Sequence, residues 1–107
     1  MLAKRIRELL LAKKGENIRI LDMRNLTEVT DYFVIVSGGS APHIRGLYNG
    51  VQEGLKAEDV LVWRRSDDPE SGWMILDYVD VVIHILTPKA RQYYGIEDLW
   101  AGAPEEE

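Results

Sequence analysis

The sequence contains no cysteine, which excludes disulfide bonds, thiolate zinc sites and cysteine nucleophiles. Only two histidines occur, His43 and His84, and they do not form a metal-binding spacing motif, so no metal site is expected. No apolar run reaches the roughly 18 residues that cross a bilayer. The basic, leucine-containing N-terminus lacks a small-residue cleavage site, so we expect neither membrane association nor a signal peptide.

Basic residues are outnumbered by acidic ones, with 13 Lys and Arg against 18 Asp and Glu and a formal net charge of −5. Nucleic-acid binding depends on neutralising phosphates, so an acidic domain is a poor stand-alone binder, and no direct DNA contact is expected. An RNA chaperone that uses the basic first helix is the least favoured alternative. A basic protein surface is a better partner for this chain.

Local patterns predict one α/β (α+β) domain over residues 1–100, with the order α-β-β-α-β-β-β-α. One crossover and one hairpin give a mixed five-stranded sheet with helices packed on it. Residues 101–107 are expected to form a loose, flexible acidic tail. The predicted elements are helices over Leu2–Lys14, from Ser40 to about Ala57 and from Thr87 to Gly95, strands over Asn17–Met23, Asp31–Ser37 and Val60–Arg65, a hairpin over Trp73–Leu86, and a last turn over Ile96–Trp100.

The hairpin is the most informative segment, because polar and aromatic residues interrupt a nearly continuous apolar run. Strand residues alternate between two faces, so its apolar side chains cannot all point into one core. Either helices cover both faces or one face awaits a partner. Trp, Tyr and acidic residues together favour a hot spot for a basic protein surface. The residues of this type are Trp73, Asp77, Tyr78, Asp80, Tyr93, Tyr94, Glu97 and Trp100.

The turn Ser37–Ser40 before a helix is an alternative functional element, because glycines that open onto helix N–H groups can bind an anion. It is similar to the Gly-Ser turn of nucleotidyltransferases, which also need two nearby carboxylates on one strand face for magnesium. The predicted strand Val60–Arg65 carries no acid, and Asp77 and Asp80 are three apart. Catalysis is therefore not expected, although a magnesium-dependent nucleotidyltransferase stays an open alternative.

Three glycines, Gly46, Gly50 and Gly54, recur at four-residue spacing along one flank of the predicted second helix. Each costs roughly 1 kcal/mol relative to alanine in a helix interior. The series indicates a close backbone approach by the sheet or by another subunit, with chance as an equal alternative.

Several motifs in order resemble the ribosomal silencing factor (Iojap) family, over essentially the whole stretch from Leu2 to Trp100. The motifs are Asp-Tyr-Phe-Val-Ile-Val-Ser-Gly-Gly-Ser ending at Ser40, then His43-Ile-Arg45, then Gly-Trp-Met-Ile-Leu-Asp-Tyr-Val-Asp-Val-Val-Ile-His ending at His84, then Arg91-Gln-Tyr-Tyr94 and Leu99-Trp100. The combination is far more specific than any of its pieces.

The resemblance implies a nucleotidyltransferase-like fold without established transferase chemistry and without a cofactor. It also implies binding to large-subunit ribosomal protein fourteen, a steric block of subunit joining, and thus translational repression. In the family the partner-facing surface is built around the tryptophan-led hairpin and the following helix. The positions that take this role here are Trp73, Asp77, Tyr78, Asp80, His84, Arg91 and Tyr94.

The sequence departs from the family pattern at Val79, where a glycine commonly separates the two acids, and at Gly39 and Pro42, which replace commoner polar residues. A stiffer hairpin turn is expected at Val79. The short N-terminus is similar to that of bacterial, cytoplasmic members. Family members often form homodimers, and the glycine flank or a sheet edge could serve that purpose.

Overall fold

The computed structural model describes all 107 residues. The helices are α1 (Leu2–Ala12), α2 (Ala41–Lys56), α3 (Pro88–Tyr94) and α4 (Ile96–Leu99). The strands are β1 (Glu16–Asp22), β2 (Tyr32–Ser37), β3 (Arg64–Ser66), β4 (Trp73–Asp77), β5 (Val81–Leu86) and β6 (Glu105–Glu106), with a 3-10 turn at Pro69–Ser71. The predicted fold class and the order of the main elements are confirmed.

The strands form one mixed sheet in the order β3-β4-β5-β2-β1-β6. Strands β2 and β5 are parallel, and every other neighbouring pair is antiparallel. Because β2 and β5 lie at the centre with both faces covered, they can consist of nearly continuous apolar residues. All six residues of β5 are buried.

The predicted number of five strands is wrong, because the chain end supplies a sixth. Residues expected in a loose tail run antiparallel to β1, where Glu106 pairs with Ile20 and Glu105 with Leu21. Two glutamates carry no strand pattern, so only the three-dimensional arrangement reveals this pairing.

The strand predicted over Val60–Arg65 is also misplaced, since pairing with β4 begins only at Arg64. Val60 and Val62 are half-buried and pack against the main core, which produces a strand-like alternation without sheet hydrogen bonds. The N–H of Val60 donates to the carbonyl of Leu55 and so belongs to the end of α2.

Helices α1 and α2 cover one face of the sheet and enclose the main core of 17 buried residues. The strands supply alternate residues to this core, among them Met74 and Leu76 of β4 and Ile83 and Ile85 of β5. The residues between them point to the opposite face, as the two-residue strand period requires.

The glycine flank of α2 is explained at two positions by its packing against α1. A Cβ atom on Gly54 would lie 2.5 Å from a methyl carbon of Leu9, and one on Gly50 would lie 3.0 Å from Cγ of Lys13. Gly46 has no neighbour within 4 Å of such an atom. The close approach is therefore made by another helix of the same chain.

This difference predicts opposite behaviour for one substitution at two positions. Gly46→Ala should raise the free energy of unfolding by about 0.5–1 kcal/mol, because helix propensity improves with no steric conflict. Gly54→Ala should give a smaller gain or a loss, because Leu9 must move. Urea unfolding of the two variants tests this, and equal gains would contradict the packing described for α1.

Candidate functional site

The second face of the sheet is only partly covered. Strand β4 contributes Trp73, Ile75 and Asp77 to it, and all three are half-buried. Helices α3 and α4 cover the part of this face that holds a second core of six buried residues. The β4 side of the face therefore retains a surface that a partner could contact.

The indole of Trp73 is held in place by a buried histidine. Nε1 of Trp73 donates a hydrogen bond to Nδ1 of His84 at 3.1 Å. Phe33 packs edge-on against His84 with ring centroids 4.7 Å apart, and Trp100 packs edge-on against Phe33 at 5.9 Å. The exposed part of Trp73 thus rests on a rigid aromatic support.

His84 is neutral at physiological pH, because burial lowers its pKa from 6.5 to about 4. Since Nδ1 accepts the indole N–H, the ring hydrogen belongs on Nε2. Nε2 is buried and has no hydrogen-bond partner. The hydrogen bond to His84 therefore fixes the orientation of the Trp73 indole, and the unpaired Nε2 of His84 lowers the stability of the folded protein.

Two tyrosines of α3 extend the aromatic surface. The ring of Tyr94 lies 4.7 Å from that of Trp73, and the ring of Tyr93 lies 5.1 Å from that of Tyr94. Tyr93 is 80% exposed and Tyr94 is 44% exposed. Thr87 caps the helix by accepting a hydrogen bond from the N–H of Ala90. Trp73, Tyr93 and Tyr94 are referred to below as the aromatic patch.

The hairpin turn between Asp77 and Asp80 is tight, and its backbone conformation at Val79 is unfavourable for a β-branched residue. Val79 has φ of +73°, and the N–H of Asp80 donates to the carbonyl of Tyr78 at 2.9 Å, which is a γ-turn. Oδ1 of Asp77 accepts from the N–H of Val79 at 2.8 Å. The carbonyl of Asp80 accepts from Tyr32 and Asp31, which ties the turn to β2. The Asp80 side chain stays exposed.

Tyr78 does not join this surface. It is buried on the opposite face in the main core, where burial raises its pKa to about 12 and its hydroxyl lacks a partner. Strand parity could have revealed this, because Tyr78 continues the even-numbered series of Met74 and Leu76, whereas Trp73 is odd-numbered.

Arg91 is an internal contact rather than an exposed one. Its guanidinium donates to Glu97 at 2.6 Å, to Oγ of Ser37 at 2.9 Å and to the carbonyl of Asn17 at 2.8 Å. Hydrogen bonds from Arg91 and then Arg19 lower the pKa of Glu97. These bonds connect α3 and α4 to the sheet, so Arg91 supports the helix that carries the tyrosines.

The structure also shows three residues of this face that the sequence interpretation missed, Phe33, Ile75 and Val82. Phe33 pairs with Val82, and Ile75 pairs with His84, so all lie beside the assigned residues. The sequence signal that could have identified these residues is that they alternate along their strands with residues of the main core.

The groups that transferase chemistry would need are far apart. Gly39 and Ser40 follow the carboxyl end of β2, whereas Asp77 and Asp80 lie beside its amino end. The length of β2 puts them about 17 Å apart. The N–H of Gly39 donates to Nδ1 of His43, and Oγ of Ser40 accepts from the N–H of His43. The turn is thus a helix cap, in which Ser40 is the N-cap residue.

No three His, Asp or Glu side chains come together as a metal ion would need. No helix of the structure has the length and apolar character that crossing a bilayer requires.

Comparison with known proteins gives a consistent result. The model of the family described as "Ribosomal silencing factor during starvation" matches residues 1–107. The ribosomal silencing factor of Chromobacterium violaceum is 39% identical over 90 residues, covering 83% of this chain and 73% of that protein. That of Bacillus subtilis is 32% identical over 92 residues, covering 86% and 78%.

Solved structures agree with these relatives. A crystal structure of a Chromobacterium violaceum protein superposes with a TM-score of 0.88 and 34% identity, covering 99% of this chain and 88% of that one. A Bacillus halodurans structure, 24% identical with a TM-score of 0.85 and covering 97% and 94%, supports the fold alone.

The buried histidine predicts a specific pH dependence. Because its folded pKa lies below its unfolded value, only the unfolded chain takes up this proton as pH falls from 6.5 to 4. This uptake should destabilise the protein by up to about 3 kcal/mol across that window. His84→Gln should remove this share of the pH dependence, measured by urea unfolding at several pH values. Parallel curves for both proteins would contradict the neutral, buried state.

The γ-turn predicts a stabilising substitution. Val79→Gly should raise the free energy of unfolding by about 1 kcal/mol, because relief of a positive φ at a β-branched residue exceeds the added entropy of the unfolded chain. Val79→Ala is the matched control, since it shortens the side chain but keeps the strain. Urea unfolding measures both, and a larger gain from alanine would contradict strain at this turn.

Proposed function

The chain belongs to the family of ribosomal silencing factors, and from that premise we propose a specific mode of action. The chain is a non-enzymatic translational repressor that binds protein fourteen of the large ribosomal subunit and sterically prevents the small subunit from joining. Family membership supports a ribosome-associated silencing role. The identity of the contacted protein and the steric step are the proposed parts.

The observation that carries the proposal is the half-buried indole of Trp73, fixed by His84 and flanked by Tyr94. Tryptophan and tyrosine are enriched at the residues that dominate binding energy in protein interfaces. Because the indole is already held in one orientation, less conformational entropy is lost when a partner covers it.

Charge supports a basic protein partner. Asp77 and Asp80 lie at the turn end of the same hairpin, and neither has a Lys, Arg or His nitrogen within 4.0 Å of its carboxylate. These carboxylates lie at the opposite end of the hairpin from Trp73, about 13 Å along β4. They fit a surface rich in Lys and Arg, and they should accelerate association at low salt.

A steric block requires occupancy rather than chemistry. The molecule measures 34 × 33 × 23 Å, so a bound copy separates two surfaces that must otherwise come into contact. This requirement agrees with the wide separation of the residues that transferase chemistry would use.

The proposal also places the chain in the cytoplasm without direct DNA contact, and it allows a homodimer. Of the two surfaces considered for self-association, the glycine flank is occupied by α1 at two positions. The sheet edges are the surfaces that remain, formed by β3 on one side and β6 on the other.

Co-sedimentation with purified large subunits tests the site. Trp73→Ala should weaken binding by roughly thirtyfold, as expected for a hot-spot residue. Asp77→Lys and Asp80→Lys should weaken it through charge reversal, and Asp80 makes no side-chain bond whose loss would disturb the turn. Thermal unfolding of each variant verifies that it is folded.

Glu53→Lys on the exposed side of α2 is the matched control, since it makes the same charge change away from the patch and should bind like the original protein. Full binding by the Trp73→Ala and Asp77→Lys variants would contradict the assigned surface. Failure of the original chain to pellet with large subunits would contradict the function itself.

A further inference from the structure

The proposed partner-binding residues Trp73, Asp77, Asp80 and Tyr94 are referred to as the docking surface. A second surface feature lies between the C-terminal half of α2 and the segment that leads into β3. It is a cleft of about 450 Å³ whose lining includes Lys56, Trp63, Arg64 and Arg65. These four residues are referred to as the basic cleft. Tyr78, buried on the face opposite Trp73, also lines it, so the cleft is separate from the aromatic patch.

The cleft is a local concentration of uncompensated positive charge. Arg64, Arg65 and Lys56 have no carboxylate oxygen within 4.0 Å, and no Asp or Glu is among the lining residues. The guanidinium of Arg65 is held by Oε1 of Gln52 at 2.9 Å. Asp77 is the cross-strand partner of Arg64, so Lys56 and Arg65 supply most of the positive charge of the cleft, and physiological salt screens the acidic residues that lie beyond about 8 Å.

The cleft also presents an exposed, anchored aromatic ring. Trp63 is 57% exposed, although burial of an indole would normally be favourable. The guanidinium carbon of Arg64 lies 3.9 Å from the ring centroid. The backbone N–H of Trp63 donates to the carbonyl of Asp77 at 2.9 Å, which fixes the residue at the sheet edge. Exposed aromatic rings and arginine planes are the surfaces on which unpaired bases stack.

We propose that the basic cleft binds single-stranded RNA, with a base stacked on the Trp63–Arg64 pair and adjoining phosphates beside Lys56 and Arg65. An acidic peptide could pair with the three cations, but its binding would not involve the exposed indole of Trp63. The cleft volume lies in the range of sites for small ligands, about 300–1,000 Å³, so it holds one or two nucleotides. The net charge of −5 confines RNA contact to this cleft.

Fluorescence anisotropy of a labelled single-stranded RNA dodecamer with the isolated full chain tests the proposal, with no ribosome present. Trp63→Ala should weaken binding roughly tenfold, whereas Trp63→Phe should retain it because the ring still stacks. The double variant Lys56→Glu with Arg65→Glu should abolish binding. For two phosphates neutralised, the slope of log affinity against log salt should be about −1.4.

Arg45→Glu is the charge control for reversal at one position and is compared with Arg65→Glu alone, since Arg45 is exposed, unpaired and on α2, about 16 Å along the helix from Lys56. It should bind RNA like the original chain. Equal weakening by Arg45→Glu, or no effect of Trp63→Ala, would overturn the proposal. Displacement of the RNA by an equal concentration of a glutamate-rich peptide would also overturn it and assign the cleft to acidic peptides. Because the assay omits ribosomes, its result is independent of the docking surface.

Discussion

The register of the β4–β5 hairpin is the constraint on which the rest of the structure depends. Strand residues alternate between faces, so a slip of one residue would bring Trp73 into the main core and Met74 onto the surface. The register is held by the bond from the N–H of Tyr78 to the carbonyl of Val81 and by the γ-turn at Val79. The carbonyl of Asp80 then anchors the turn to β2, so a strained backbone fixes which hairpin side chains lie on the face opposite the main core.

The two faces of this hairpin make different contacts. One face packs in the core beneath α1 and α2, and the other carries the indole of Trp73, which His84 holds in one orientation. Three features of this arrangement reduce stability. They are the positive φ of Val79 and the buried Nε2 of His84 and hydroxyl of Tyr78, neither of which has a hydrogen-bond partner. Costs of this kind are tolerated where a surface must have one defined shape. The proposed RNA site adjoins the proposed partner-binding surface, because Arg64 of the basic cleft is the cross-strand partner of Asp77.

Much of the fold was predictable from local patterns, because its helices have apolar stripes and its caps have the expected residues at Ser40 and Thr87. The docking surface was only partly predictable. Tyr78 was assigned to it because it is aromatic and because the family resemblance implied that role, although strand parity puts that residue in the core. The buried contacts of Arg91 join three segments distant in sequence, which no local pattern encodes. Strands β3 and β6 are short and polar, so their pairing depends on tertiary neighbours.

Hydroxyl-radical footprinting of the chain, free and bound to purified large subunits, tests the central claim most directly. It reports the solvent accessibility of individual side chains in the complex, without any substitution. The account predicts that oxidation of Trp73 and Tyr94 falls strongly on binding, whereas oxidation of the exposed Leu11 on α1 stays unchanged. Unchanged oxidation of both aromatic residues, together with protection of Leu11, would contradict it.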